Sequence, residues 1–522
     1  MGEKVREGRM GKWETAAGEL VRFMSIVLFF LLFGAGMIFT RYFPGDYGKE
    51  IPLNRVDFFP VTVLGAVLAG AGIMAAGNRL LGEPQRAERR LSLLLKLVMG
   101  WILVFGLVWI FLSKCDPVSD QMMVITSAQR FAQGNYGRLD YSKYLFMHPH
   151  QLGLAAYGQI LFTVFGNENL MAFLVFNVLW TGVAAFSGYR ITRYLFRDLR
   201  VSAYYLLLVG ICFPFLLYSS YFYGDVMAAA LCLFSVWQTL RWCREEKGSA
   251  AVLLVLGISL ACLVRNNSLI AAIACLGILL VKAVCGRRWK YLLCIFLAVA
   301  GIGGARLGMH AFYESRIGRP LNSGMPMVLY VALGMQEGDK EAGWYNGYSI
   351  YTYQDVCGYD GPAAAAIGKA EIKARAKEFL KNPLYGADFF WRKFTSQWCE
   401  PTYGCFIMTY ATQRERSRLV NSIYLGKGNR LLCLFMDSYQ LLVYGMGLAL
   451  LVLTRKEKYP LEWYLLLTVI LGGVLFHTIW EAKSRYVLPY FVMMLPLAAA
   501  GLALVSGILE NWRTRHETAE AG

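Results

Sequence analysis

Apolar residues in this chain do not alternate with polar ones as in a half-buried strand, nor recur every third or fourth position as on a surface helix. They run on for stretches of about 17–23 residues, the length a helix needs to cross roughly 30 Å of hydrocarbon. Such runs fall near 21–41, 58–77, 93–113, 168–188, 202–221, 224–241, 250–264, 267–283, 290–309, 431–453, 462–480 and 487–508. The pattern predicts an all-α polytopic membrane protein, a bundle of about 12 transmembrane helices. The runs at 250–264 and 267–283 are near the minimum length and read as a broken or tilted pair. Two connections are long, and they divide the chain into a tail with three spans (1–113), a first large loop (114–167), a central bundle (168–309), a second large loop (310–430) and three last spans with a tail (431–522).

The basic residues set the expected sidedness. Clusters at Lys4, Arg6, Arg9 and Lys12, at Arg79, Arg86, Arg89 and Arg90, and at Arg190, Arg193, Arg197 and Arg200 fall in alternate connections. So do Arg241, Arg244 and Lys247, then Lys282, Arg287, Arg288 and Lys290, then Arg455, Lys456 and Lys458, then Arg513 and Arg515. Under a single twelve-span path every cluster lies inside, which puts both termini in the cytoplasm and both large loops on the outer face. The basic flank before the first run reads as an uncleaved anchor, since that run is too long for a signal peptide and many spans follow. A plasma membrane is the default setting.

Composition agrees, with 57% apolar and only 17% charged residues over 522 positions, against about 25% charged in a soluble chain. The net charge of +17 follows from the sidedness rule, so nucleic acid is discounted as a partner. The twelve cysteines include no CxxC pair, and only Cys115, Cys357, Cys399 and Cys405 fall outside the spans, where bridges among them stay open. No zinc signature and no phosphate-binding loop occurs in a cytosolic segment.

Chemistry is to be sought in the large loops. The second holds a helix near 362–380 (GPAAAAIGKAEIKARAKEFL) and an aromatic run near 387–401 (ADFFWRKFTSQWCEP), suited to a lid or to the headgroup layer. The first opens SKCDPVSDQMMVITSAQRFAQGNYGRLDYSKYLFMHPHQLG. Asp116 with Pro117 predicts a helix start, ending near Gly134 and Asn135, with Asp120 one turn in and on the same side as Asp116. A carboxylate there fits a general base or a ligand to a divalent cation; it fits equally a helix cap and a dipole partner.

The runs DQMMVITSAQRFAQGNY, HPHQLGLAAYGQILFTVFGNENLMAFLVFNVL and SGYRITRYLF resemble in layout the membrane glycosyltransferases of the GT-C superfamily. Within it they are most similar to bacterial relatives of protein O-mannosyltransferases and lipid A aminoarabinose transferases, over about 115–200. The resemblance implies a GT-C-like bundle with two large outer loops. It implies transfer of a sugar from a polyprenyl-phosphate-sugar donor to a glycan, lipid or protein acceptor, with no cofactor required and a divalent cation compatible with the site. By the match Asp120 stands at the catalytic Asp, while Gln121 stands where many members carry a second acidic residue. That leaves Asp116 as an unmatched helper and weakens a tightly held metal.

Further candidates converge on the same face. Tyr223 and Asp225 lie in SSYFYGDVMAA at a turn between spans, and Arg265 opens the polar turn RNNS. IWEAKSRYVLPYF crowds Glu481, Lys483 and Arg485 together and resembles the superfamily's final outer loop, where basic residues approach the donor phosphate; Arg485 comes first and Lys483 second. His148 and His150 flank Pro149, fitting a helix entry better than a metal site, or a contact to donor or acceptor. Trp344, Tyr345, Asn346, Trp398 and Glu400 fit sugar contacts, while aromatic residues also serve as membrane anchors. LNSGMPMVLYVALGMQEGDKEAGWYNGYS and KFTSQWCEPTYG resemble segments of Gram-positive members of the superfamily. A lipid-linked oligosaccharide flippase or transporter, and a surface-polysaccharide ligase or polymerase, are the alternatives; charges at span ends rather than midway favour chemistry over a conduit.

Overall fold

The computed structural model describes residues 12–43, 50–56, 59–410 and 414–520, so Lys4, Arg6 and Arg9 lie outside the described residues. Among those described, ten helices are long and apolar enough to cross a membrane. The pair Leu199–Gly210 and Phe213–Ser220, bent by 49°, is apolar enough to make an eleventh span if it crosses as one broken helix. The break falls beside Pro214, in the first turn of the second piece, where a proline ring cannot continue the preceding helix. Gly248–Val264, with 17 residues, is a shorter apolar helix. All twelve apolar runs are therefore helical, and the chain is a multi-pass membrane protein.

Burial orders the bundle. The span Asp225–Glu245 is central, 78% of its apolar window being buried, whereas Trp289–Ile317 is peripheral at 11%. Close approach at the centre depends on small residues. A Cβ on Gly153 would lie 1.9 Å from the Leu263 carbonyl oxygen, and one on Gly501 would lie 1.9 Å from that of Met446.

One end of the bundle gathers the basic clusters. Arg22 donates to the Arg455 and Glu457 carbonyls, both at 2.6 Å. Arg193 pairs with Glu88 at 3.0 Å, Arg200 with Glu510 at 3.1 Å and Lys282 with Glu462 at 2.8 Å. These contacts tie residues of several basic clusters to neighbouring connections.

The opposite end is built from the long connections. A two-stranded antiparallel hairpin pairs Phe39–Tyr42 with Leu53–Val56, Phe39 opposite Val56, an element that the all-α reading did not contain. The second large loop folds into helices Gly361–Lys381, capped by Asp360 accepting from Ala363 N at 3.0 Å, and Pro383–Trp398. Ala482 N donates to Gly343 O at 2.8 Å, joining this loop to the last connection. All twelve cysteines are free thiols, so no bridge joins Cys115, Cys357, Cys399 or Cys405.

Candidate active site

A cavity of about 1160 Å³ opens at this end, lined by Asp120, His148, His150, Tyr223, Arg265, Glu481, Lys483 and Arg485 among others. Eight of the sequence-derived candidates, drawn from four separate connections, therefore share one space.

The helix that carries Asp120 starts later than the Asp-Pro signal suggested. It spans Asp120–Ala132, with Ser119 as the preceding residue, and turns off at Gly134 with φ of +77°. Asp116 is not its cap and does not share its face. Arg414, 298 residues away, takes the Asp116 carboxylate in a two-pronged pair at 2.5 and 2.8 Å, outside the cavity lining. Gln121, where the resemblance led one to look for a second acid, is a clamp. Its amide nitrogen donates to Met408 O at 3.0 Å and its oxygen accepts from Phe222 N at 3.1 Å. Asp120 itself is exposed to the cavity and makes no hydrogen bond or ion pair among the described residues.

Facing it are buried cations. The guanidinium carbons of Arg265 and Arg485 lie 4.9 and 5.3 Å from the centre of the same Tyr223 ring. That ring is fixed by Gln151, which donates to its hydroxyl at 2.6 Å. Cation–π contact lets two like charges sit near one another without an acid between them. Arg265 also donates to Asp225 Oδ1 at 3.0 Å. Asp225 lies behind the cavity, and its other oxygen faces a chamber of about 40 Å³ that Arg265, Tyr486 and Tyr490 share. Arg485 Nε is buried with no protein acceptor.

Two residues that the sequence did not single out complete the charge pattern. Glu50, just before the second hairpin strand, accepts from Lys483 at 2.9 Å and from Lys340 at 3.3 Å. Burial works to raise its pKa, but Lys483 and Lys340 outweigh that and hold it down at about 2. Glu481 goes the other way: burial pushes it up to about 7 against the opposing charge of Lys483, with Asp120 adding to the rise. No local motif announces Glu50 or Lys340, since their partners are 433 and 290 residues away.

His148 hydrogen-bonds Tyr330 through Nδ1 at 3.1 Å, and Pro149 opens the turn that enters helix Leu152–Phe165. Burial lowers His148, and holds His150 down at about 3, so both are neutral donors or acceptors at neutral pH. Among the described residues no group of three His, Cys, Asp or Glu side chains is placed to hold a metal ion. Tyr345 lines the cavity, but Trp344 is buried against Ser396 at 2.8 Å. Trp398 and Glu400 are likewise buried off the cavity. Glu400 accepts from the Thr402 and Gly404 amides at 3.0 and 2.6 Å, and its burial raises its pKa to about 7. Local polar and aromatic character suggested sugar contacts for this pair, whereas Glu400 fastens its own turn and Trp398 packs against Phe394 and Tyr490.

Fold and cavity define a multi-pass helical membrane protein whose cavity sets several carboxylates, the unpaired Asp120 among them, beside buried cations. Residues 148–303, under a third of the chain, match the family described as dolichyl-phosphate-mannose-protein mannosyltransferase. The matched stretch holds His148, His150, Tyr223, Asp225 and Arg265; Asp120 and Arg485 lie to either side. Among solved structures, the chain is similar to the archaeal oligosaccharyltransferase AglB from Archaeoglobus fulgidus in complex with an inhibitory peptide and a dolichol-phosphate, at 13% identity and a TM-score of 0.38. That alignment covers 80% of this chain and 52% of AglB, so the chain spans about half the length of that protein. It is also similar to ArnT from Cupriavidus metallidurans bound to undecaprenyl phosphate, at 15% identity, 78% and 77% coverage and a TM-score of 0.35. No curated protein sequence matches the chain.

Proposed function

We propose that the protein is a membrane glycosyltransferase that moves a sugar from a polyprenyl-phosphate-sugar donor to an acceptor hydroxyl at the cavity end, taken as the outer face of the plasma membrane. The observation that carries this reading is an unpartnered Asp120 lining the same cavity as Arg265, Arg485 and Lys483. In a single displacement the acceptor oxygen bonds the anomeric carbon, the bond from that carbon to the phosphate oxygen breaks with its electron pair, and the acceptor proton passes to Asp120. The departing lipid phosphate gains charge. Arg485 and Arg265, which line the cavity, would meet that charge with fixed, desolvated guanidinium groups. Asp225 holds Arg265 in place. His148, His150 and Tyr345 line the remaining wall and supply neutral hydrogen bonds and an aromatic face for the sugar. A single displacement inverts the anomeric centre.

The test is transfer by purified protein in detergent from a panel of polyprenyl-phosphate-sugars to a panel of glycan, lipid and peptide hydroxyls. Turnover with one donor supports the reading. A flippase has no substrate chemistry in detergent, where no second side exists, so a folded protein inert to every donor would overturn it in favour of transport.

A further inference from the structure

Helix Gly361–Lys381 carries Lys369, Lys373, Lys377 and Lys381, four lysines at intervals of four residues. At 3.6 residues per turn they form one slowly drifting stripe, roughly 18 Å long and within an arc of about 120°. All four are exposed, and none has an ion-pair partner among the described residues. The acids of the same helix point elsewhere: Glu371 accepts from Gln336 at 2.9 Å, and Glu378 pairs with Arg375. The stripe and its margins hold otherwise Pro362, Ala366, Ala370 and Leu380, so it contains no negative charge. Like charges at this spacing destabilise a lone helix, which leaves the stripe without an intramolecular reason.

Leu380 falls within the stripe and is 80% exposed; Leu384, just past the helix end, is 88% exposed. They are the two barest large apolar side chains among the described residues, ahead of Ile273 and Leu307 on the outer surfaces of spans. A leucine set among lysines on one face with no acid, followed by a second bare leucine just past the helix end, makes the composition of a segment lying on an anionic bilayer. We infer that this face docks on the headgroups of anionic phospholipids, the lysines meeting phosphates and Leu380 and Leu384 entering the acyl boundary. Because the helix packs on Val328–Leu333, which carries the cavity residue Tyr330, docking holds one cavity wall against the membrane. The inference is independent of the transferase reading.

The experiment places the full chain in nanodiscs of phosphatidylcholine, with and without one third phosphatidylglycerol, and follows acetylation of each lysine by mass spectrometry. Lys373, Lys377 and Lys381 should react about fivefold more slowly in the anionic discs, while Lys143, exposed in the first large loop, keeps its rate. A bimane at Leu384→Cys, in a Cys285→Ser background, should be quenched by brominated lipid. Equal acetylation in both discs with no quenching overturns the inference. So does protection by soluble polyphosphate in neutral discs without protection by phosphatidylglycerol, which would make a polyanionic polymer the partner.

Discussion

Removing the Asp225 charge tests how the cations of the cavity are held. The pair Asp225–Arg265 closes at 3.0 Å with side chains only 7% and 13% exposed. Breaking such a pair on one side leaves an uncompensated buried charge and costs about 3–5 kcal/mol, whereas replacing both partners with apolar groups of similar volume is near neutral. The contact of Arg265 with the Tyr223 ring persists when Asp225 is lost and so does not change the difference. The residual exposure of Arg265 lets water reach it, which places Asp225→Leu near the lower bound, about 3 kcal/mol. Asp225→Leu with Arg265→Met should recover most of that, yet show no transfer, because the phosphate donor is gone. Unfolding in mixed micelles with increasing dodecyl sulfate, followed by tryptophan fluorescence, gives both free energies. A double variant as unstable as the single one would refute the balance of charge on which the site description rests.

Three other outcomes follow from the geometry. Glu481 is held at about 7 by burial against an ordinary 4.5, so its neutral form stabilises the fold below pH 4.5 and that contribution is lost as pH rises through 7; Glu481→Gln should flatten the fall in melting temperature over this window, and an unchanged slope would remove Glu481 as its source. Gly153→Ala puts a methyl group against the Leu263 carbonyl and should cost about 1–3 kcal/mol by overpacking, while Gly277→Ala, with nothing within 4 Å, should keep its full yield of monodisperse protein on size exclusion. Asp116→Asn disturbs only the exposed pair with Arg414, and transfer should stay within about twofold of the parent; a large loss would restore Asp116 to the chemistry.

The spans were legible because a run of about twenty apolar residues states its own length requirement. The bend at Pro214 and the shortness of Gly248–Val264 show where that rule is coarse. Asp120, Arg265, Lys483 and Arg485 stood out in the sequence as ionisable residues at span ends, and the fold brings them to one cavity. The site was not legible where the deciding partner is remote. The Asp-Pro start of a helix is a sound local signal, yet Arg414 draws Asp116 away and the helix begins at Asp120. Trp398 and Glu400 have the composition of a sugar platform but are buried in the joint between the second large loop and the bundle. Glu50 and Lys340 belong to connections with no motif, and only the fold brings them to Lys483.

The central claim is that Asp120 takes the acceptor proton while the cations hold the donor. Its most direct test is Asp120→Asn in single turnover with a radiolabelled polyprenyl-phosphate-sugar, measured beside donor binding, with and without a chelator. The account predicts donor affinity unchanged, transfer lowered by about 100-fold or more, and no effect of the chelator on the parent. Transfer by Asp120→Asn at the parent's rate would contradict it.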